Sequence, residues 1–213
     1  MPDPATSPQK AHSPKRQMRA DAAANLDRVV AAAEEVFAEL GLEVSIEVVA
    51  ERAGVGLGTI YRRFANKQAL IAELVNRLLT DVIAIGERHL DDPCGSGLVN
   101  YMHEVCQLLA GNRGAVARLW NDPSSQALVS RSRDVQQQLV DAAKAAGTVR
   151  DDLAGEDLAV ALWSIHGILD VTKGTDVDAW SRHLYFVLQG FAAPGSAPAA
   201  LTSAAMTKVI EHN

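Results

Sequence analysis

The run Gly54-Val55-Gly56-Leu57-Gly58-Thr59-Ile60-Tyr61-Arg62-Arg63-Phe64-Ala65-Asn66-Lys67 constrains this chain more than any other segment. It reads as a tight turn, a short basic-aromatic helix and the start of a second helix. A helix from about Leu57 to Phe64 turns Ile60 and Phe64 inward, four residues apart, and leaves Gly58, Tyr61 and Arg62 facing out. Such a helix fits the width of a DNA major groove, where arginine bonds base edges bidentately and Tyr or Thr hydroxyls hold phosphate.

The flanking sequence is helical by period. From Leu26 the apolar residues Val29, Val30, Ala33, Val36, Phe37 and Leu40 recur at three- and four-residue intervals, and Gly41 stands where a helix ends. Ser45 sits at an N-cap position with Glu47 in the first turn, Ile46, Val49, Ala50 and Ala53 form the buried side, and Gly54 closes the helix. Asn66 caps a long helix in which Leu70, Ile71, Leu74, Val75, Leu78, Leu79, Val82 and Ile83 keep helical period to about His89. Asp91 to Gly97 is a loop by its turn residues. Further helices are predicted at about 97 to 110, 114 to 120, 124 to 146, 155 to 172 and 177 to 192, with Gly147 ending the third of these. No strand pattern and no internal repeat is present.

These elements predict an all-α fold: an N-terminal three-helix head followed by a C-terminal helical domain, about nine helices in all. Forty-eight per cent hydrophobic and only five per cent aromatic composition, with alanine recurring throughout, agrees with packed helices rather than sheet. Residues 1 to 18, with Pro2, Pro4, Pro8 and Pro14, are expected to form a disordered basic arm. The head is expected over 19 to 66, the helical domain over 67 to 193 and a flexible, Pro-broken tail over 194 to 213.

The net charge of −6 is poorly suited to a polyanion partner, but it is unevenly spread. Residues 1 to 77 carry 10 basic and 10 acidic side chains, whereas 78 to 213 carry 10 and 16. Lys10, Lys15, Arg16 and Arg19 precede Asp21 with no acid among them, a local cationic patch. No apolar run reaches the ~18 to 20 residues that cross a bilayer, and the N-terminus has no apolar signal core. Cys94 and Cys106 are too few for a disulfide framework. The expected location is the cytoplasm, in association with the nucleoid.

Ala53 to Lys67 closely resembles the helix-turn-helix of TetR-type (tetracycline-repressor-like) regulators, whose pattern runs roughly Ala-Gly-Val-Ser-x-Gly-Thr-Leu-Tyr-x-His-Phe-x-x-Lys. The resemblance implies that Ser45, Thr59, Tyr61 and Lys67 hold phosphates while Leu57, Gly58, Arg62 and Arg63 approach base edges of a double-stranded operator. Gly56 replaces the usual Ser, which weakens a cap, and Arg63 replaces the usual His, which adds a candidate guanine reader. A link of the form Gly-x-x-Arg-x-Asp, here Gly147, Arg150 and Asp152, also recurs in the ligand domains of such proteins.

The resemblance further implies a homodimer, because one head reads about half a site. Leu158, Leu162, Ile165, Leu169, Trp180, Leu184, Val187 and Phe191 of the last two helices are the candidate dimer interface, with completion of the monomer core as the competing role. Tyr101, Met102, Val105, Trp120, Leu139, Trp163 and His166 mix bulk, aromatic faces and polar tips, and are the candidate pocket for a small apolar or amphipathic effector. No cofactor or metal is expected.

Other classes have weaker support. His103 and Cys106, three apart beside Glu104, form a conceivable metal or Cys/His site, but a core cysteine and a surface histidine explain them more simply. No phosphate loop, Gly-x-Ser-x-Gly elbow or His-Glu-x-x-His run marks an enzyme. A thiol-responsive regulator using Cys94 and Cys106, or a helical adaptor without DNA binding, are the remaining alternatives.

Overall fold

A computed structural model describes residues 14–92, 95–112, 125–172 and 177–192. The described residues form eight α-helices and no strand: α1 (Pro14–Leu40), α2 (Ile46–Ala53), α3 (Leu57–Arg63), α4 (Lys67–His89), α5 (Gly97–Gly111), α6 (Gln126–Ala145), α7 (Gly155–Thr172) and α8 (Val177–Ala192). The all-α expectation, with a helical head followed by a helical body, holds. The helix expected at 114 to 120, the tail from 194 and residues 1 to 13 of the arm lie outside the described residues. Helix α1 starts at Pro14, earlier than the apolar stripe and inside the stretch expected to be unfolded. Proline is at home in the first turn, where its missing N–H has no partner to lose.

Local chemistry sets helix boundaries within the head and at its end. At Gly54, φ is +64°; its N–H and that of Val55 bond Glu51 and Ala50 carbonyls, both at 3.1 Å, so α2 closes in a left-handed cap that a side chain would strain. The Asn66 Oδ1 accepts from Ala69 N–H at 2.9 Å and starts α4. Ser45 has the extended backbone of an N-cap but makes no capping bond. Its hydroxyl instead helps hold the Glu47 carboxyl below its usual range, after the larger effect of Glu47's own backbone N–H.

One continuous apolar core runs from Val29 in the head to Leu188 in the body. Helix α4 carries it across: Leu70, Ile71, Leu74 and Val75 are buried at its head end, Leu78, Leu79, Val82, Ile83 and Ile85 further on. α4 packs against α1, α5 and α6, while α7 and α8 pack on one another and against α5. At Gly86 the backbones come so close that a Cβ would stand 2.4 Å from Val135 Cγ1 and 3.3 Å from the Tyr101 ring. The link after α6 is fixed too, since Arg150 N–H donates to the Phe191 carbonyl at 2.9 Å and its guanidinium pairs with Asp152.

Candidate nucleic-acid interface

Helix α3 is too short to persist alone, and its place is set by burial of Ile60 (0 % exposed) and the capping residue Phe64 (5 %) against α1 and α2. With that side fixed, the period of 3.6 puts Gly58, Tyr61 and Arg62 on the opposite side, and all three are exposed. Tyr61 keeps 46 % of its surface, an unusual cost for an aromatic ring on a short helix without a partner. Around Gly58 no atom lies within 4 Å of a built Cβ, so the outer face is flat and open there.

The other expected contacts are placed less uniformly. Thr59 and Arg63 lie on the flank, where with Asn25, Leu26 and Val29 of α1 and with Ile60, Arg62 and Phe64 they line a groove of about 530 Å³. Arg62 donates to the Thr59 hydroxyl at 3.5 Å, a long bond that leaves most of its fork open. Leu57 is half-buried at the start of α3, and Ser45 is exposed. The Lys67 ammonium stands 5.9 Å from the centre of the Phe37 ring, a cation–π contact tying the first turn of α4 to α1. Asn25 and Leu26 border this groove, although the sequence shows them only as the beginning of a helical stripe.

Ion pairs fasten the rest of the head. Arg52 of α2 reaches Glu39 at 2.7 Å and Glu35 at 3.3 Å on α1. The bonds to Arg52 hold the Glu39 carboxyl below its ordinary value. Arg77 of α4 bridges Asp27 of α1 at 3.1 Å and Glu73 at 2.9 Å. These cations are consumed by neighbours, which leaves Arg62 and Arg63 as the ones presented by α3.

The body separates residues that the sequence grouped together. Tyr101, Met102, Val105 and Leu139 are fully buried, each at 1 % exposure or less. The Tyr101 hydroxyl accepts from Gln136 Nε2 at 2.9 Å, and burial, partly offset by bonds from Gln136 and Ser132, pushes its pKa up to about 12. Trp163 and His166 are half-buried, and Trp120 lies outside the described residues. Leu158, Leu162, Ile165, Leu169 and Leu184 are at most 2 % exposed and Trp180 is 8 % exposed, so these complete the core of a single chain. Val187 and Phe191 are half-buried, whereas Val160, Val171, Tyr185 and Phe186 stand out at 38, 82, 57 and 55 %. These last four break the helical period of the core stripe, the one sequence signal that could have identified them.

Of the cysteine and metal alternatives, only the parts that fall on described residues can be followed. Cys106 is fully buried, and burial pushes its thiol up to about 12, which keeps it protonated and unreactive. His103 is exposed where Cys106 is buried, while Glu104 is engaged by His89 at 2.9 Å and by Arg88. Cys94 lies outside the described residues. No cluster of three metal-ligating side chains occurs among the described residues, and no described helix is long and apolar enough to cross a membrane.

Comparison with known proteins agrees with this division. Residues 29–74 match the model of bacterial regulatory proteins of the tetR family, and 92–193 match the C-terminal domain of SbtR-like transcriptional regulators. An HTH-type transcriptional regulator of Staphylococcus aureus, SAB2452, is 36 % identical over 76 residues, 35 % of this chain and 41 % of that protein. The chain thus spans about two fifths of the length of the curated relatives it matches. The TetR transcription regulatory protein from Mycobacterium vanbaalenii is similar over 83 % of this chain and 99 % of its own, at 28 % identity and TM-score 0.57. SmeT, the repressor of the Stenotrophomonas maltophilia multidrug efflux pump SmeDEF, shares the fold over 85 % of this chain and 100 % of its own, at 20 % identity and TM-score 0.59. With a head and a body that each match a model of this kind, the chain belongs to the tetR family of bacterial regulatory proteins.

Proposed function

We propose that this protein is a ligand-responsive transcriptional repressor that binds a palindromic double-stranded DNA operator as a homodimer and is released by a small effector. The observation that carries the reading is the outer face of α3, where Gly58, Tyr61 and Arg62 are exposed together on a helix locked from behind by Ile60 and Phe64. Arg62 supplies a fork suited to guanine O6 and N7, and Tyr61, with Thr59 beside it, a hydroxyl for phosphate. A flat Gly58 lets the backbone approach base edges.

Two-fold use of the head requires a pairing surface in the body. The apolar side chains left exposed by α7 and α8, Val160, Val171, Tyr185 and Phe186, support pairing there as a helical bundle. Effector control is supported by α4, which reaches from the head to the packed body without interruption. The acidic charge excess after residue 77 keeps nonspecific attraction to DNA low, so the head carries recognition.

The test is selection of duplexes from a random pool by the purified protein, followed by retardation assays on the enriched sequence. A palindromic consensus is expected, and Arg62→Ala together with Arg63→Ala is expected to remove its advantage over scrambled duplex with the helical content unchanged. Absence of any enriched sequence, or full specificity in the double variant, refutes the reading.

A further inference from the structure

Across the groove between α1 and α3, Asn25 faces the flank of α3 that carries Thr59 and Arg63, in a space of about 530 Å³. Its remaining described walls are apolar apart from Arg62, and no carboxylate is among them. Asp27, two residues along α1 from Asn25, is held by Arg77 at 3.1 Å.

Each of the three polar groups has bonding capacity to spare. The Asn25 Oδ1 accepts from the Arg28 guanidinium, a bond that only the oxygen end of the amide can take, so both Nδ2 protons are left without an acceptor among the described residues. Thr59 Oγ1 accepts from Arg62 at 3.5 Å, and its own proton is likewise uncommitted among the described residues. Arg63 is exposed and makes no ion pair or hydrogen bond among the described residues, whereas Arg52 and Arg77 are taken up by Glu35, Glu39, Asp27 and Glu73.

Helix geometry says what these groups can meet. Successive residues of an α-helix turn by about 100°, so residues four apart stay together while neighbours diverge. Thr59 and Arg63 therefore share the flank turned to α1, Tyr61 takes the opposite flank, and Gly58 and Arg62 lie between. An α-helix with its side chains measures roughly 10 to 12 Å across, and the major groove is about 12 Å wide. A helix seated there turns its outermost line to base edges and its two flanks to the two phosphate walls. On the α1 side, uncommitted donors, a full cation and no carboxylate suit a phosphodiester, which only accepts.

We infer that the α1–α3 groove seats one phosphodiester of the operator backbone, held by Asn25 Nδ2, the Thr59 hydroxyl and the Arg63 guanidinium. The inference rests on the DNA-binding reading above and divides the work of its two arginines. Arg62 meets base edges, whereas Arg63 meets phosphate and sets where the head sits without choosing the sequence. Asn25, on a helix outside the helix-turn-helix, becomes a contact to the duplex.

The test uses the full-length protein and the duplex enriched by selection, with affinity read by fluorescence anisotropy between about 50 and 200 mM salt, where phosphate contacts govern the change. One set of duplexes carries single base-pair changes, a second set single neutral methylphosphonate linkages. Arg63→Gln is expected to weaken every base-pair variant by the same factor, about tenfold per half-site, and to lower the salt slope by about one per protomer. Asn25→Leu removes uncharged donors, so it is expected to weaken all duplexes about fivefold per half-site with the salt slope unchanged. One methylphosphonate position in each half-site should weaken the unaltered protein comparably and have little further effect on either variant, because all three changes remove the same contact. Arg63 is exposed and unbonded, so its replacement leaves the fold untouched, and melting curves check the same for Asn25→Leu.

Altered preference at one base pair in Arg63→Gln, undiminished affinity in Asn25→Leu, or full sensitivity of both variants to every methylphosphonate overturns the inference. Each of these results leaves the DNA-binding reading standing, since a selected duplex is still bound. A protein that enriches no duplex overturns both.

Discussion

Gly86 of α4 and Val135 of α6 occupy one another's space to within the width of a methyl group: a Cβ on the glycine would lie 2.4 Å from Val135 Cγ1. The site is interior to a helix, where alanine would otherwise be favoured by about 1 kcal/mol. The crossing therefore depends on the missing side chain.

Gly86→Ala is expected to lower stability by about 1 to 3 kcal/mol despite the gain in helix propensity, because the packed crossing has to open. Chemical denaturation at equilibrium checks this. A companion Val135→Ala change in the same protein should recover part of the loss, since it removes the atom that the new methyl meets.

Gly56 is the N-cap of α3, with an extended backbone, no side-chain capping bond and open space around a built Cβ. Gly56→Ser is therefore expected to stabilise the head by a few tenths of a kcal/mol and to tighten operator binding by adding a hydroxyl at the DNA side. Thermal unfolding and retardation midpoints measure the two effects. Destabilisation by serine would show that the turn needs the glycine for another reason.

Tyr185 and Phe186, an edge-to-face pair 5.6 Å between ring centres with Arg182 over Phe186, are largely exposed on α8. Introducing Tyr185→Glu and Phe186→Glu together should convert a dimer into monomers in sedimentation experiments and leave monomer helicity intact, because neither side chain supports the core. Retention of the dimer would place the pairing surface elsewhere.

His166 is half-buried in α7, and burial lowers its pKa from 6.5, with Asp170 opposing the shift. The folded chain thus binds its proton less readily than the unfolded chain. Stability is full above pH 6.5, declines as the pH drops through the interval down to the depressed value, and levels off beneath it. Urea midpoints between about pH 7.5 and pH 5 should show this decline, and His166→Gln should flatten that part of the curve.

Much of the fold is legible in the sequence because local chemistry fixes it. Gly41, Gly54, Asn66 and Gly147 punctuate helices where the backbone demands a left-handed residue or a capping oxygen. Ile60 and Phe64, four apart, settle which side of α3 faces out. The start of α1 is not legible, since the turns before Leu26 carry no apolar stripe.

The body is harder for a physical reason. Leu158, Leu162, Ile165 and Leu169 have the same character as a partner surface, and only packing shows that one chain already consumes them. Gln136 and Ser132 are passed over because polar side chains at helical spacing read as solvent-facing. The Gln136–Tyr101 bond becomes apparent only when α5 and α6 are side by side.

The two fasteners at the start of α4, Lys67 over Phe37 and Arg77 on Asp27, clamp it to α1 at points nearly three turns apart. Two contacts along one face brace this joint against swivelling. In the proposed homodimer, the distance between the two α3 helices is then set by how the bundles seat on one another, and repacking far from the duplex is expected to carry into register along it.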